Sequence, residues 1–322
     1  MLLLKKKIIR YIICLALIIL LLLMNKKSII NNMKIRNLKV CICTLGKKEN
    51  RYIREFVQFY EKLRIDKIFL YDNNDINDEK FEEVINDYVD KGLVEIFNWR
   101  GKIGSQFLIL NNCYFRYNKT FDWLLFYDID EYIHLKDYSN IKEFLKESKF
   151  NKCNKIFLNW VMHTDNNLIK YDKRTLHERF PYLEPNIKKK NYAVTGKSIL
   201  RGGIKKLYIS RTHTLDKNIE SCNGFGKKIK IRGFHIKNID FKYYYIDHYY
   251  SKSLEEFVEK LNKGDGHFKK DKNFIYHRIK RYFTVNKITL EKIEYIEKKV
   301  DVNLSLYRKK LYKLKINQKK GF

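Results

Sequence analysis

The chain has 322 residues, 45% hydrophobic and 15% aromatic, which suits one large core or one domain with an appendage and argues against a disordered chain. Lys and Arg number 67 against 37 Asp and Glu, and a balance of +30 ordinarily points to nucleic acid or an anionic membrane. The basic residues are spread along the whole chain, while Ala occurs only at Ala16 and Ala193 and Pro only at Pro181 and Pro185, so the charge reads as an AT-rich coding bias.

Residues 8–24 are almost wholly apolar, broken only by Arg10, and roughly 17 residues is the lower limit for crossing a bilayer. No small-x-small cleavage site follows, so an uncleaved transmembrane anchor with a stem is expected over residues 1–37. Lys5, Lys6, Lys7 and Arg10 before it balance Lys26, Lys27, Lys34 and Arg36 after it, leaving the orientation open.

Residues 38–43 read as a buried strand and 44–49 as the loop at its carboxyl end. From Asn50, the residues Tyr52, Ile53, Phe56, Val57, Tyr60 and Leu63 recur at helical spacing. A second strand over 67–71 ends in Asp72-Asn73-Asn74-Asp75, a helix over 79–89 stops near Gly92, and 93–97 is a third strand. A helix over 106–117 leads into the apolar run Trp123-Leu124-Leu125-Phe126-Tyr127, which ends in Asp128-Ile129-Asp130-Glu131. Strands alternating with helices predict an α/β fold with a parallel sheet and ligands at the carboxyl ends of its strands.

In an extended segment residues i and i+2 face the same way, so Asp128 and Asp130 present paired carboxylates where the strand surfaces. Such a pair suits a divalent cation whose shell diphosphate oxygens complete. The plainer alternative is a helix N-cap and a solvated loop.

Beyond Glu131 the pattern gives a strand over 155–160, a polar stretch over 163–192, and short strands near Ser198, Ile209 and Phe234. A strand over 241–246 ends in Asp247-His248-Tyr249-Tyr250-Ser251-Lys252-Ser253. Ser253 and Glu256 form a capping box for a helix over 254–263, which Gly264 closes. Residues 287–299 read as one more amphipathic helix and 307–320 as a basic surface tail, so a catalytic domain is expected over 38–285 and a C-terminal helix with its tail over 286–322. Cys14, Cys41, Cys43, Cys113, Cys153 and Cys222 show no repeated Cys-x-x-Cys spacing. Neither a zinc site nor a disulfide framework is expected, and Cys41 and Cys43 are read as small buried hydrophobes.

Several short motifs stand in register: Cys43-Thr44 with Lys48-Glu49, Tyr71-Asp72-Asn73, Gln106 with Cys113, and Asp128-Ile129-Asp130-Glu131-Tyr132. Lys197-Ser198-Ile199, His213, and His248-Tyr249 with Lys252-Ser253 ahead of Glu255-Glu256-Phe257 follow them. In order and approximate spacing the set resembles glycosyltransferase family 92 over about residues 38–266. The resemblance implies a GT-A type fold (a Rossmann-like, mostly parallel sheet flanked by helices), a nucleotide-sugar donor such as a UDP-sugar, Mn²⁺ or Mg²⁺, and transfer of a hexose with inversion. Animal members of the family are type II membrane proteins that add galactose to glycans, so a single-pass membrane protein acting on a glycan or glycolipid is expected. It would face the Golgi lumen in a eukaryote, or stand on the inner membrane with a cytosolic catalytic domain in a bacterium. Lys48, Ile109 and His163-Thr164-Asp165 depart from the family's usual residues, the last in the expected acceptor region.

On this reading Asp128, Asp130 and His248 hold the metal, with Asp128 alternatively meeting the ribose or binding through water. Asp72 accepts from the ribose diol, or else only closes an Asx turn. Thr44, Glu49 and Gln106 contact the nucleoside, unless Glu49 and Gln106 merely start their helices, and Lys197 and Lys252 meet the phosphates. Inversion needs a base, for which Asp165 comes first, then Asp247 and Glu131. Two other classes compete. A phosphohydrolase of the haloacid-dehalogenase kind would carry its Asp-x-Asp after the first strand, and a non-catalytic binder of nucleic acid or anionic membrane would gather its cations on one face.

Overall fold

The computed structural model describes residues 38–102, 104–189, 194–205, 207–216, 218–231, 239–263 and 272–319, with side chains to residue 313. The apolar segment 8–24, the expected strand near Phe234 and Gly264 lie outside the described residues. Among the described residues no helix is long and apolar enough to cross a membrane.

The first half alternates as the sequence predicts. β1 (Val40–Gly46), α1 (Asn50–Lys62), β2 (Lys67–Asp72), α2 (Glu82–Asp90), β3 (Val94–Asn98), α3 (Gln106–Tyr117) and β4 (Trp123–Phe126) follow one another. Their strands are all parallel, in the order β3-β2-β1-β4. α1 buries Tyr52, Ile53, Phe56, Val57 and Tyr60, the helical stripe that would otherwise be left in water. On the other face, Cys41, Cys43, Phe69, Tyr71, Leu124 and Phe126 alternate inward against Ile109, Leu110, Cys113 and Tyr114 of α3.

The second half is mixed rather than parallel. After a turn come β5 (Glu131–Leu135), α4 (Ile141–Leu145), β6 (Lys155–Met162), α5 (Leu176–Arg179), β7 (Gly196–Arg201), the short β8 (Ser221–Cys222) and β9 (Lys228–Ile229), and β10 (Tyr244–His248). The sheet continues as β4-β7-β6-β10-β5, in which β7 is antiparallel to both neighbours and β10 is parallel to β6 but antiparallel to β5. Segments near Ile209 form only an isolated bridge, Arg211 with Leu215, instead of a strand.

α6 (Leu254–Lys263), α7 (Lys272–Val285), α8 (Leu290–Lys299) and α9 (Ser305–Lys319) complete the described chain. The capping box of α6 is present: the Ser253 amide donates to Glu256 Oε2 at 3.0 Å and the Glu256 amide to Ser253 Oγ at 3.3 Å. The expected tail is helical, and α7, for which the sequence reading has no counterpart, buries Ile275, Ile279, Tyr282 and Phe283.

The cysteines correct the sequence reading. Cys43 is bonded to Cys113, tying β1 to α3, and Cys153 to Cys222, tying the start of β6 to β8, while Cys41 is buried and free. Partners 70 and 69 residues apart carry no local spacing signal. Loops of that length restrict the unfolded chain strongly, so reduction is expected to cost about 2–4 kcal/mol per bond. Urea unfolding with and without dithiothreitol, beside alkylation mass analysis of the unreduced protein, checks both pairings.

Candidate active site

The acidic motif is not extended. β4 ends at Phe126, and Asp128–Glu131 is a turn in which the Glu131 amide donates to the Asp128 carbonyl at 3.1 Å. The Glu131 carboxylate accepts the Asp128 amide at 3.0 Å, and the Tyr249 amide donates to the Asp130 carbonyl at 3.0 Å, pinning the turn to the end of β10. A Cβ on Gly46 would lie 2.6 Å from Ile129 Cδ1 and from Phe81 Cζ, so a side chain there would collide with the turn.

The turn separates the two aspartates. Asp128 points to Lys197, whose Nζ donates to Oδ2 at 2.7 Å. Asp130 joins another group: β5 and β10 run antiparallel with His248 opposite Glu131, and ligand atoms of Asp130, Glu131 and His248 lie within 4.8 Å of one another. All three are buried, and this set, two carboxylates and an imidazole, could hold a divalent ion; of the expected ligands Asp130 and His248 belong to it and Asp128 does not.

Electrostatics fit that role. Burial alone would raise the Asp130 carboxyl, but Lys260 and His248 hold it well below the usual carboxylate range. Lys260 Nζ stands 2.8 Å from Asp130 Oδ2, Lys252 Nζ 3.9 Å from the same oxygen, and His248 Nε2 3.6 Å from Oδ1. Burial pushes Glu131 well above its ordinary value, and its Oε1 has no hydrogen-bond partner among the described residues, although Lys197 stands 3.6 Å away. Burial likewise lowers His248 to about 4, so its contact with Asp130 at neutral pH is not an ion pair and a ring nitrogen is left with a lone pair for a metal.

The sign of the resulting pH dependence follows. The unfolded imidazole takes its proton near 6.5 and the folded one only near 4, so the unfolded state binds more protons between them. His248 therefore contributes stability that is lost as pH falls from about 6.5 to about 4, roughly 3 kcal/mol in all. In the metal-free protein, denaturant titrations at pH 7 and pH 5 should show a larger loss for the wild type than for His248→Gln.

A cleft of about 360 Å³ opens at this end of the sheet, lined by Glu49, Gln106, Asp128, Asp130, His248, Lys260 and Lys263, with Trp160, Tyr250, Arg278 and Arg281 among the others. Glu49 caps α1 in position only. Its side chain makes no capping bond and instead meets Lys252 at 3.4 Å and Lys263, which hold it below its usual value against the effect of burial. Lys252, with φ at +52°, lines an adjoining cavity that shares Glu49, Tyr250, Lys260 and Lys263. Burial opposes charge on Lys197, yet Asp128 and Glu131 keep its ammonium above the ordinary lysine value.

Other expected residues lie elsewhere. Thr44 is buried on β1 with its Oγ1 unpartnered among the described residues. Asp72 does close an Asx turn, accepting the Asn74 amide at 2.9 Å, and its second oxygen meets Arg100 at 2.5 Å. Asp165 is buried beside Lys292 at 2.6 Å and does not line the cleft. Asp247 alternates away from His248 along β10 and meets His163 Nε2 at 2.7 Å. Glu131 lies under the cleft floor, fully buried.

Sequence reasoning missed Lys260, Lys263, Arg278 and Arg281. Lys260 stands three residues past Phe257, on the capped helix and next to its apolar stripe, which was the one available signal among 67 basic residues.

A profile described as glycosyltransferase family 92 matches residues 36–286. A glycosyltransferase family 92 protein of Oryza sativa subsp. japonica is 27% identical over 108 residues, 33% of this chain and 18% of that protein. A galactan beta-1,4-galactosyltransferase of Arabidopsis thaliana is 27% identical over 113 residues, 32% of this chain and 22% of its own length. The chain thus spans only about a fifth of the length of these curated relatives. Among solved structures, S. aureus TarS in complex with UDP aligns at TM-score 0.37 and 11% identity, covering 76% of this chain and 71% of that one.

Proposed function

This chain belongs to glycosyltransferase family 92, and we propose on that footing that it is a metal-dependent inverting transferase moving a hexose from a UDP-sugar to a glycan or glycolipid hydroxyl. The observation that carries the reading is the meeting of Asp130, Glu131 and His248, the first and last lining a cleft beside the carboxyl ends of β1, β4 and β10 and Glu131 buried beneath them. These three residues would hold Mn²⁺ or Mg²⁺, the imidazole favouring Mn²⁺. A bound divalent ion supplies Lewis-acid stabilisation to a departing nucleoside diphosphate.

The chain's own groups take the remaining tasks. Glu49 and Gln106 face the cleft where the nucleoside would lie, with Thr44 behind them and Asp72 confined to its turn and Arg100. Lys252 and Lys260 offer ammonium groups to the diphosphate, and Asp128, held by Lys197, is exposed enough to meet a ribose or sugar hydroxyl. Besides Asp130, the described carboxylates lining the cleft are Glu49 and Asp128, so the acceptor's proton would go to one of them rather than to Asp165, Asp247 or Glu131. A GT-A type fold is consistent with the parallel half-sheet and the acidic turn at the end of β4.

Relatives named galactan beta-1,4-galactosyltransferases support galactose as the sugar. We take residues 8–24 as a membrane anchor, 38–285 as the catalytic domain and 286–322 as its C-terminal extension. Two disulfides support an oxidising compartment, which favours the lumenal over the cytosolic placement. The test is to incubate the purified full chain with Mn²⁺, a panel of UDP-sugars and galactan or glycolipid acceptors. UDP-α-galactose should yield a β-linked product by NMR. A folded sample that neither transfers nor hydrolyses any donor, and does not bind UDP, rules the reading out.

A further inference from the structure

We propose that Lys260 is a displaceable counter-ion of this site, neutralising Asp130 in the absence of a divalent ion and moving to the donor's diphosphate when one binds. The inference rests on the function proposed above and assigns a role to a side chain that the acidic motif does not include.

Asp130 already carries a cation on one of its two carboxylate oxygens. Lys260 Nζ stands 2.8 Å from Oδ2, and that carboxylate belongs to the cluster whose ligand atoms lie within 4.8 Å of one another. A divalent ion takes carboxylate oxygens at about 2.0–2.2 Å, which would place two cations within a few ångströms of each other in a poorly screened cleft. Either the ammonium or the metal has to yield.

The geometry identifies which ammonium can go. The Lys197 and Lys252 side chains are 3% and 5% exposed, the first held between Asp128 and Glu131 and the second between Glu49 and Asp130. Lys252 Nζ also sits 3.7 Å over the Tyr52 ring. Lys260 is 26% exposed, in the last turn of α6, and borders both the cleft and the adjoining cavity. Its flexible four-carbon stem can swing the charge a few ångströms without moving the helix. The incoming diphosphate supplies the replacement partner. Metal and nucleotide therefore each favour the other, and by reciprocity the coupling is the same whichever binds first.

Calorimetry on the full chain, titrating Mn²⁺ with and without UDP, tests this. Lys260→Met should bind Mn²⁺ alone about 10- to 100-fold more tightly than the wild type, because the competing charge is gone. The factor by which UDP tightens Mn²⁺ should shrink by a similar amount, while Lys260→Arg should stay near the wild type. Unchanged or weaker Mn²⁺ binding by both Lys260→Met and Lys260→Gln, each unfolding cooperatively, would overturn the proposal. So would a wild-type crystal structure with Mn²⁺ and UDP bound in which Lys260 still pairs with Asp130. A wild type that binds neither ligand removes the proposed function itself, whereas one that binds both, with variants unaltered, removes only the role of Lys260.

Discussion

Asp130→Asn is expected to lower transfer by about a hundred- to a thousandfold, the scale of removing one well-placed charge-stabilising group from an active site. Asparagine keeps the shape and one oxygen but not the charge, and Asp130 is the carboxylate of the cluster that stays ionised, held well below its ordinary range against the effect of burial. Glu131 is pushed the other way and cannot substitute without the metal's help. The same change takes the counter-charge 2.8 Å from Lys260 and leaves Lys252 with Glu49 alone, so some stability is lost as well. Steady-state kinetics with UDP-galactose and Mn²⁺, beside a melting curve, separates the two effects. Residual kcat/KM within tenfold of wild type would show that Asp130 does not hold the reacting complex.

Lys292→Met should have the largest effect on stability, about 3–5 kcal/mol, because it strips a buried carboxylate of its partner. Asp165 and Lys292 are 2% and 1% exposed and 2.6 Å apart. Around them the Tyr282 hydroxyl donates to the same carboxylate, the Asn167 amide donates to its other oxygen at 2.9 Å, and Asn286 Oδ1 accepts the Asp165 amide at 2.6 Å. The network joins the loop after β6 to α7 and α8. Its location also tests the role first assigned to Asp165. Urea titration of Lys292→Met and Asp165→Asn should show the loss of stability, while kcat of the folded protein stays within about threefold. A collapse of kcat in Asp165→Asn without a matching loss of stability would return that residue to consideration as the base.

Part of the candidate cluster is legible in the sequence. An apolar strand ending in acid points to Asp130 and a motif at a later strand end to His248, and both stand in the cluster. An extended backbone would set Asp128 beside Asp130. The Glu131 side chain instead bonds back to the Asp128 amide, folding the motif into a turn that sends Asp128 to Lys197 and brings Glu131 in. The basic wall of the cleft has no signature in the sequence, because 67 Lys and Arg are spread along the chain and a single ammonium is distinguished only by the partner it meets.

Residue pattern alone determined the order of strands and helices in the first half, the buried stripe of α1, the bounds of α3 and the capping box of α6. Those features rest on contacts a few residues apart, where periodicity and caps act directly. Only the tertiary structure decided that β10 lies antiparallel to β5 with His248 opposite Glu131, and that Cys43 meets Cys113. It also decided that Lys260 reaches Asp130 across 130 residues. Strand register and long-range pairs are chosen by the packing of the whole sheet against the entropy of closing long loops, and no short window of sequence contains that balance.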